Sequence, residues 1–293
     1  TGEFLLYIFF ALLLASCFGR GVEVPQSFFD PRPPAEWVFM NGKVVTVDSS
    51  FSIKEAVAIK NGRFVAVGTD SDMRRWIGRN TTVVNLAGRM MIPGIIDSHM
   101  HATVAGLTWN SELRWESVRS LADGLKQIEA AARAKTPGTW IVVGGGWAPT
   151  QFPEKRLPTR TELDAVAPKH PVYIQYLRQA AVLNSAGLVA AGIDGKAADP
   201  QGGKFERDPS SGELTGVLQG VPAWEFAYAK VPRPTLDQVR QSLDNCFREL
   251  NRLGLTSVVD LHTSGVTFAH RRLLADMAGR GELSIRLDYY VAP

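Results

Sequence analysis

Met91-Ile92-Pro93-Gly94-Ile95-Ile96-Asp97-Ser98-His99-Met100-His101 is the stretch from which the rest of the chain can be read. An apolar run entered through Pro-Gly and left through two histidines has the pattern of a strand whose carboxyl end carries chemistry. Side chains two apart on a strand share a face, so His99 and His101 can project together and offer imidazole nitrogens to one divalent cation. A lone His-x-His occurs on ordinary surfaces. The apolar strand, the Pro-Gly entry and an acidic residue two positions before His99 together make metal ligation the stronger reading. Asp97 is expected behind the ligands, accepting a proton from a ligand imidazole and fixing its tautomer, with a plain strand-end cap as the simpler alternative.

Downstream, apolar strands alternate with helical segments, the pattern of parallel β-α units and an α/β fold. Strands are expected at Met91 to Ile96, Trp140 to Val143, Val172 to Tyr176, Thr256 to Val259 and Ile285 to Val291. Between them, Val118 to Ala134 repeats Leu121, Leu125, Ile128 and Ala132 at helical spacing. Thr159-x-x-Glu162 and Thr235 with Gln238 are capping-box signatures, the second opening a helix that carries Leu236, Val239, Leu243, Cys246, Phe247 and Leu250. Cys246 on that apolar side reads as a small buried hydrophobe.

Upstream, residues 37–88 are short β-type runs punctuated by Asn41-Gly42 and Asn61-Gly62, the strongest short hairpin signal. A short helix over Met73 to Ile77, capped by Ser71 or Asp72, precedes a strand at Thr82 to Leu86. Residues 20–36 hold four prolines without periodicity and read as an extended linker. Residues 1–19 contain Phe4 to Ala15, an apolar run of export-signal length, short of the roughly 20 residues of a membrane-spanning helix. Leu14-Ala15-Ser16-Cys17 is similar to a lipobox, in which Cys17 becomes a lipidated anchor. The expected location is outside the cytoplasm, periplasmic or lipid-anchored, with membrane contact only through Cys17.

The composition, 45% hydrophobic and 21% charged, is that of a globular protein with a substantial core. With 32 basic against 29 acidic side chains the formal net charge is +3, and no basic run exceeds two residues, so no nucleic-acid partner is expected.

The motif PGIIDSHMH resembles the first-strand metal site of the amidohydrolase superfamily. VFMNGKVVTVD, AVAIKNGRFVAVG and VVNLAGRMMIPGIID resemble the small β domain beside its barrel. GGGWAPTQFPEKRLPTRTELDAVAPKHPVYI and LNSAGLVAAGI resemble the branch called amidohydrolase family 3, which includes formamide deformylase-like enzymes. The resemblance runs from Trp37 to the last residue. It implies an incomplete (β/α)8 barrel of TIM type, about the first five strands, over residues 89–293, with a small β-sandwich-like domain on its amino-terminal side. It also implies one or two divalent metal ions, zinc first among them, and hydrolysis of a carbon-nitrogen bond in a small amide-type substrate by metal-activated water. His99 and His101 take the places of the first ligand pair. The remaining ligands and the catalytic carboxylate are expected beyond Pro293, which leaves these residues inactive by themselves.

Three side chains are expected near substrate. Trp147 follows Gly144-Gly145-Gly146, where glycines would let the backbone approach a ligand beside an apolar tryptophan wall, with a flexible turn and a core tryptophan as the equal alternative. Gln179 stands in Leu177-Arg178-Gln179 where many family members carry Asp-Gly-His, so it can hydrogen-bond but not take up a proton near neutral pH. His262 follows the strand ending at Asp260; both read as candidates with loop roles as the simpler alternative. His170 and His270 read as solvent-facing, and Trp109 and Trp115 as packing residues. Two further functions fit the same scaffold: a cyclic amidohydrolase or deaminase, and a catalytically inactive, lipid-anchored binding protein.

Overall fold

Strand β1 (Trp37–Met40) opens a four-stranded sheet with β4 (Ala56–Lys60), β5 (Arg63–Gly68) and β6 (Thr82–Asn85) in the order β5-β4-β1-β6. Between them in sequence, β2 (Lys43–Val45) and β3 (Ile53–Lys54) form a second sheet with β7 (Met90–Met91). The computed structural model describes residues 34–261 and 265–289, so the export segment, Cys17, most of the linker and His262 lie outside the described residues. The described chain divides at Pro93 into two units. Among the described residues no helix is long and apolar enough to cross a membrane.

In the first unit the two Asn-Gly dipeptides do different work. Asn61-Gly62 joins β4 to β5 as a two-residue hairpin, Lys60 opposite Arg63, with φ of 49° and 67° at the two turn positions. Asn41-Gly42 joins β1 to β2, which belong to different sheets, so the hairpin expectation fails there. Contacts from elsewhere hold that corner: the Asn41 N–H donates to Asp70 Oδ1 at 2.8 Å and its amide to Asn85 Oδ1 at 2.9 Å. The short helix α1 (Asp70–Met73) starts earlier than expected because Thr69 and Asp72 form the capping box. Its Met73 packs with Val38, Ala56, Ala58 and Trp76.

The second unit holds two sheets. Strand β8 (Ile95–Met100) leads into helix α2 (Ala102–Thr108), then helix α3 (Leu121–Ala134), strand β9 (Ile141–Val143), helix α4 (Arg160–Val166), strands β10 (Val172–Tyr176) and β11 (Ala180–Leu183) and helix α5 (Ser185–Ala191). Strands β12 (Lys204–Arg207) and β13 (Leu214–Gln219), helices α6 (Val221–Tyr228) and α7 (Leu236–Arg252), strand β14 (Leu255–Asp260), helix α8 (Phe268–Gly279) and strand β15 (Arg286–Tyr289) follow. β8, β14 and β15 form a parallel sheet in the order β15-β14-β8, while β9 to β13 form a separate sheet in the order β12-β13-β11-β10-β9.

The five expected strands therefore do not stand in one parallel sheet: those at 140–143 and 172–176 join the separate, mixed one. The reason is local. Only residues 177–179 separate β10 from β11, and a parallel crossover needs a dozen or more residues, so the two pair antiparallel. Both faces of the mixed sheet are buried. Ile141, Val143, Val172, Ile174 and Val182 face a core with Trp115, Ile128, Trp147 and Leu163. Val142, Tyr173, Ala181, Leu183 and Leu218 face another with Leu188 and Phe205. The parallel sheet is backed by α2, α7 and α8 through Leu107, Leu243, Phe247, Val258, Leu274 and Met277.

The capping boxes at Thr159 and Thr235 form as the sequence predicts. At the first, Arg156 grips Glu162 with two bonds of 2.8 and 2.6 Å, and the Thr159 N–H adds a third at 2.8 Å. The Arg156 bonds come first in pulling the Glu162 carboxyl down from 4.5 to about 2. A depressed carboxyl stabilises the fold above its ordinary pKa and loses that contribution as pH falls toward the folded value. Because the pair is partly solvated, Glu162→Gln is expected to cost only about 1 kcal/mol at pH 7. Thermal melts of the two proteins should converge as the pH approaches 2.

Candidate metal centre

The metal motif sits where β8 pairs with β14, and the pairing is irregular there. Val258 stands opposite Asp97 and Asp260 opposite Met100, so β8 advances three residues while β14 advances two. The extra residue is a bulge at Ser98-His99, a device that re-aims side chains. Its cause is in the sequence: Asp97 Oδ1 accepts the His99 N–H at 2.9 Å, a side-chain turn that draws this N–H away from the strand ladder. Asp97 thus acts on the backbone of the first histidine, and among the described residues no bond from its carboxylate to an imidazole is present. This differs from the tautomer-fixing role the sequence suggested.

The two imidazoles lie side by side, ring centroids 5.7 Å apart and planes at 65°, and both side chains are exposed. Two imidazoles bound tetrahedrally to one ion through nitrogens at 2.0–2.1 Å would place their centroids roughly 5 Å apart, so the observed spacing suits a shared cation after a small adjustment. His101 is also the N-cap of α2, and its carbonyl accepts the Ala105 N–H at 3.1 Å. Among the described residues no third His, Cys, Asp or Glu joins the pair. Two imidazoles can supply part of a coordination sphere.

The other expected site residues are dispersed. Gln179 sits in the β10–β11 turn, in a different sheet from the histidines, and its carbonyl accepts the Gly220 N–H at 2.9 Å. With Tyr176, Glu206, Val217 and Gln219 it lines an open concavity. Trp147 is interior rather than a pocket wall, 3% exposed, with ring centroids 5.0 Å from Trp115, 5.6 Å from Phe152 and 6.0 Å from Tyr176. Trp115 is buried as expected, and Trp109 carries the Arg114 guanidinium 4.1 Å over its ring. His170 is not solvent-facing: it is buried and its Nδ1 lies 3.0 Å from the Thr139 carbonyl oxygen. His270 is half-buried and caps its own helix, its Nδ1 accepting the Thr267 N–H at 3.2 Å.

What occupies the space beside Gly144 is a side chain the sequence reading missed. A Cβ on Gly144 would collide with the Glu112 carboxylate, and one on Gly146 would press on Glu116. Burial pushes the Glu112 carboxyl up from its usual range, while the Thr108 hydroxyl and Arg114 pull the other way. The signal was there: Leu113 bridges Val143 as in a strand, so Glu112, Arg114 and Glu116 alternate with the apolar Leu113 and Trp115. Gly144→Ala is expected to cost roughly 1–3 kcal/mol by forcing Glu112 out of place. Gly145→Ala, with nothing within 4 Å of its added carbon, should change stability by less than about 0.5 kcal/mol. Truncating Glu112 to alanine in the Gly144→Ala background should recover part of the loss in a melting experiment.

A profile of the amidohydrolase family matches residues 82–288. The chain is 34% identical over 228 residues to Protein LONG AFTER FAR-RED 3 of Arabidopsis thaliana, covering 78% of this chain and 38% of that one. It is 32% identical over 249 residues to the N-substituted formamide deformylase of Arthrobacter pascens, covering 83% and 45% respectively. The chain thus spans less than half the length of either relative. Among solved structures, an uncharacterized metal-dependent hydrolase from Pyrococcus horikoshii OT3 superposes with a TM-score of 0.57 at 21% identity, over 87% of this chain and 48% of that one, a likeness of fold. With the profile covering most of its length and relatives above 30% identity over more than three quarters of it, the chain belongs to the amidohydrolase family, in the branch designated family 3.

Proposed function

We propose that His99 and His101 are the first two ligands of a divalent metal, zinc being the first choice, in an exported hydrolase that cleaves amide-type carbon-nitrogen bonds of small molecules. The observation that carries the reading is the imidazole pair itself, side by side and exposed where β8 leaves its sheet. When bound, a divalent cation there supplies Lewis-acid polarisation of a carbonyl and activates water for attack. The chain's own residues prepare the place. Asp97 fixes the backbone at His99, and α2 starts at His101, so the backbone carrying both imidazoles is held by local structure.

In the same reading β8, β14 and β15 are successive strands of a (β/α)8 barrel, and the section carrying the mixed sheet is an insertion between the first two. Parallel pairing of these three strands supports this. So does β8 itself, which has β14 as its one neighbour among the described residues and leaves Ile95 and Ile96 exposed at 48% and 63%. The reading also includes an export segment over Phe4 to Ala15 and a lipid anchor on Cys17, testable by mass spectrometry of the mature amino terminus.

The deciding experiment is metal analysis of the purified protein with the later strands expected to carry the remaining ligands, alongside turnover of a panel of N-substituted formamides, other linear amides, cyclic amides and amino-heterocycles. Bound metal near one or two equivalents with turnover of linear amides is the expected result. Turnover confined to cyclic amides or amino-heterocycles would replace the substrate class while keeping the metal site. Full turnover after exhaustive chelation, with no metal bound, would sink the reading.

A further inference from the structure

Asp260 is the last residue of β14, 0% exposed, in register with Met100 on one side and Tyr289 on the other. Its Oδ2 accepts the N–H of Thr103 at 2.7 Å, across 157 residues of chain. Thr103 is the second residue of α2, and its N–H is one of the donors at a helix start that have no partner within the helix. In an ordinary helix the N-cap side chain accepts such a bond. The N-cap here is His101, whose side chain makes no cap bond, and the carboxylate of a neighbouring strand takes over the task.

Two further bonds close the clamp. The Leu261 N–H, next after Asp260, donates to the Met100 carbonyl at 3.1 Å. The Thr103 hydroxyl and the Tyr289 phenol lie 2.9 Å apart, tying α2 to β15. Together with the Asp97 bond to the His99 N–H, these fix the backbone on both sides of His99 and His101. A cap imidazole bonded to its own helix would have a ring nitrogen committed there. With the cap on Asp260, the His101 side chain is spared that bond to its own helix.

We propose that Asp260 is a positioning residue for the metal pair, acting through the Thr103 N–H to hold His101 at the start of α2. The proposal rests on His99 and His101 being metal ligands, so the test separates the two. Cobalt(II) is titrated into the complete chain, with its visible spectrum and affinity as readouts and thermal melts in parallel. The variants are Asp260→Ala, Asp260→Asn, Leu274→Ala as a destabilised control in the same core, and His99→Ala with His101→Ala.

Asp260→Ala is expected to weaken cobalt binding about 10- to 100-fold and to alter the spectrum, the range found when supporting partners of metal ligands are removed. Asp260→Asn keeps an acceptor oxygen but loses the charge that strengthens the bond, so it should weaken binding several-fold, less than Asp260→Ala. Leu274→Ala should lower the melting temperature without moving the affinity. If Asp260→Ala and Asp260→Asn both bind cobalt with the parent's affinity and spectrum while the histidine variant does not, the proposal is wrong and the ligand assignment stands. If the histidine variant binds cobalt like the parent, the ligand assignment fails and the proposal falls with it. Should Asp260→Ala fail to fold, faster hydrogen exchange at Thr103 and weaker cobalt binding in Asp260→Asn than in Leu274→Ala would still support it. Parent-like values for both in Asp260→Asn would overturn it.

Discussion

Replacing His99 and His101 together by alanine, in the protein with the later strands expected to complete the site, is expected to abolish stoichiometric metal binding and to lower turnover by about a thousandfold or more, while leaving the melting temperature of the metal-free protein almost unchanged. Both halves follow from where the residues are. A Lewis-acid metal contributes several kcal/mol to transition-state stabilisation, and each 1.36 kcal/mol is a factor of ten in rate. Both side chains are exposed, and surface substitutions away from special features usually stay within about 0.5 kcal/mol. The Asp97 bond at this site goes to the His99 backbone N–H, which alanine retains, so the bulge should survive. Metal analysis, steady-state turnover and melts on one preparation decide it. A large drop in melting temperature would mean that the imidazoles serve the fold, and unchanged turnover would remove them from the chemistry.

Local signals in this chain are legible because they are settled within a few residues. The capping boxes at Thr159 and Thr235, the hairpin at Asn61-Gly62 and the projection of His99 and His101 from the end of a strand depend on neighbours close in sequence. What the sequence hides is pairing. Asn41-Gly42 carries the same dipeptide as Asn61-Gly62, yet its flanking strands belong to different sheets because Asp70 and Asn85 claim the corner. The apolar runs at 140–143 and 172–176 look like barrel strands, since buried strands of any sheet read as continuous apolar runs. Only the short link to β11 shows that they belong to another sheet.

The site divides along the same line. The paired imidazoles could be read from His-x-His in context, but the bulge that aims them and the Asp260 cap could not. The cap joins residues 157 positions apart, beyond any periodicity. Glu112 was in principle visible, since its alternation with Leu113 and Trp115 is a strand pattern, but the segment is too short to stand out from a loop. His170, read as a turn residue ahead of a proline, is buried because the carbonyls around it are committed to a single interior amide.

That amide is Asn184, and its removal should have the opposite signature to loss of the histidines: a large fall in stability, with metal affinity per folded molecule unchanged. Asn184 is fully buried and uses its whole side chain. Its Nδ2 donates to the carbonyls of Ala167 and His170 at 3.0 and 2.9 Å, and its Oδ1 accepts the N–H groups of Val172 and Gly187 at 2.9 and 2.8 Å. One residue thereby ties the end of α4, the entry to β10 and the start of α5 together. Alanine leaves the Val172 N–H and the His170 carbonyl without these partners, at about 1–3 kcal/mol for each buried group, and takes one of two bonds from the Ala167 carbonyl, which keeps the His170 N–H at 3.3 Å. Partial rehydration lowers the sum, so the expected loss is roughly 3–5 kcal/mol, or about 6–20 °C for a unit of this size. Asn184→Asp separates the two halves of the bonding. Its oxygens can still accept both N–H groups, but as a carboxylate it has no proton for the two carbonyls it would face. Burial against those carbonyls should raise its folded pKa, so its stability should be greatest at low pH and be lost as pH rises through that value. Melts of Asn184→Asp that improve on acidification relative to Asn184→Ala would bear this out, whereas identical pH profiles for the two variants would mean that the donated bonds contribute little.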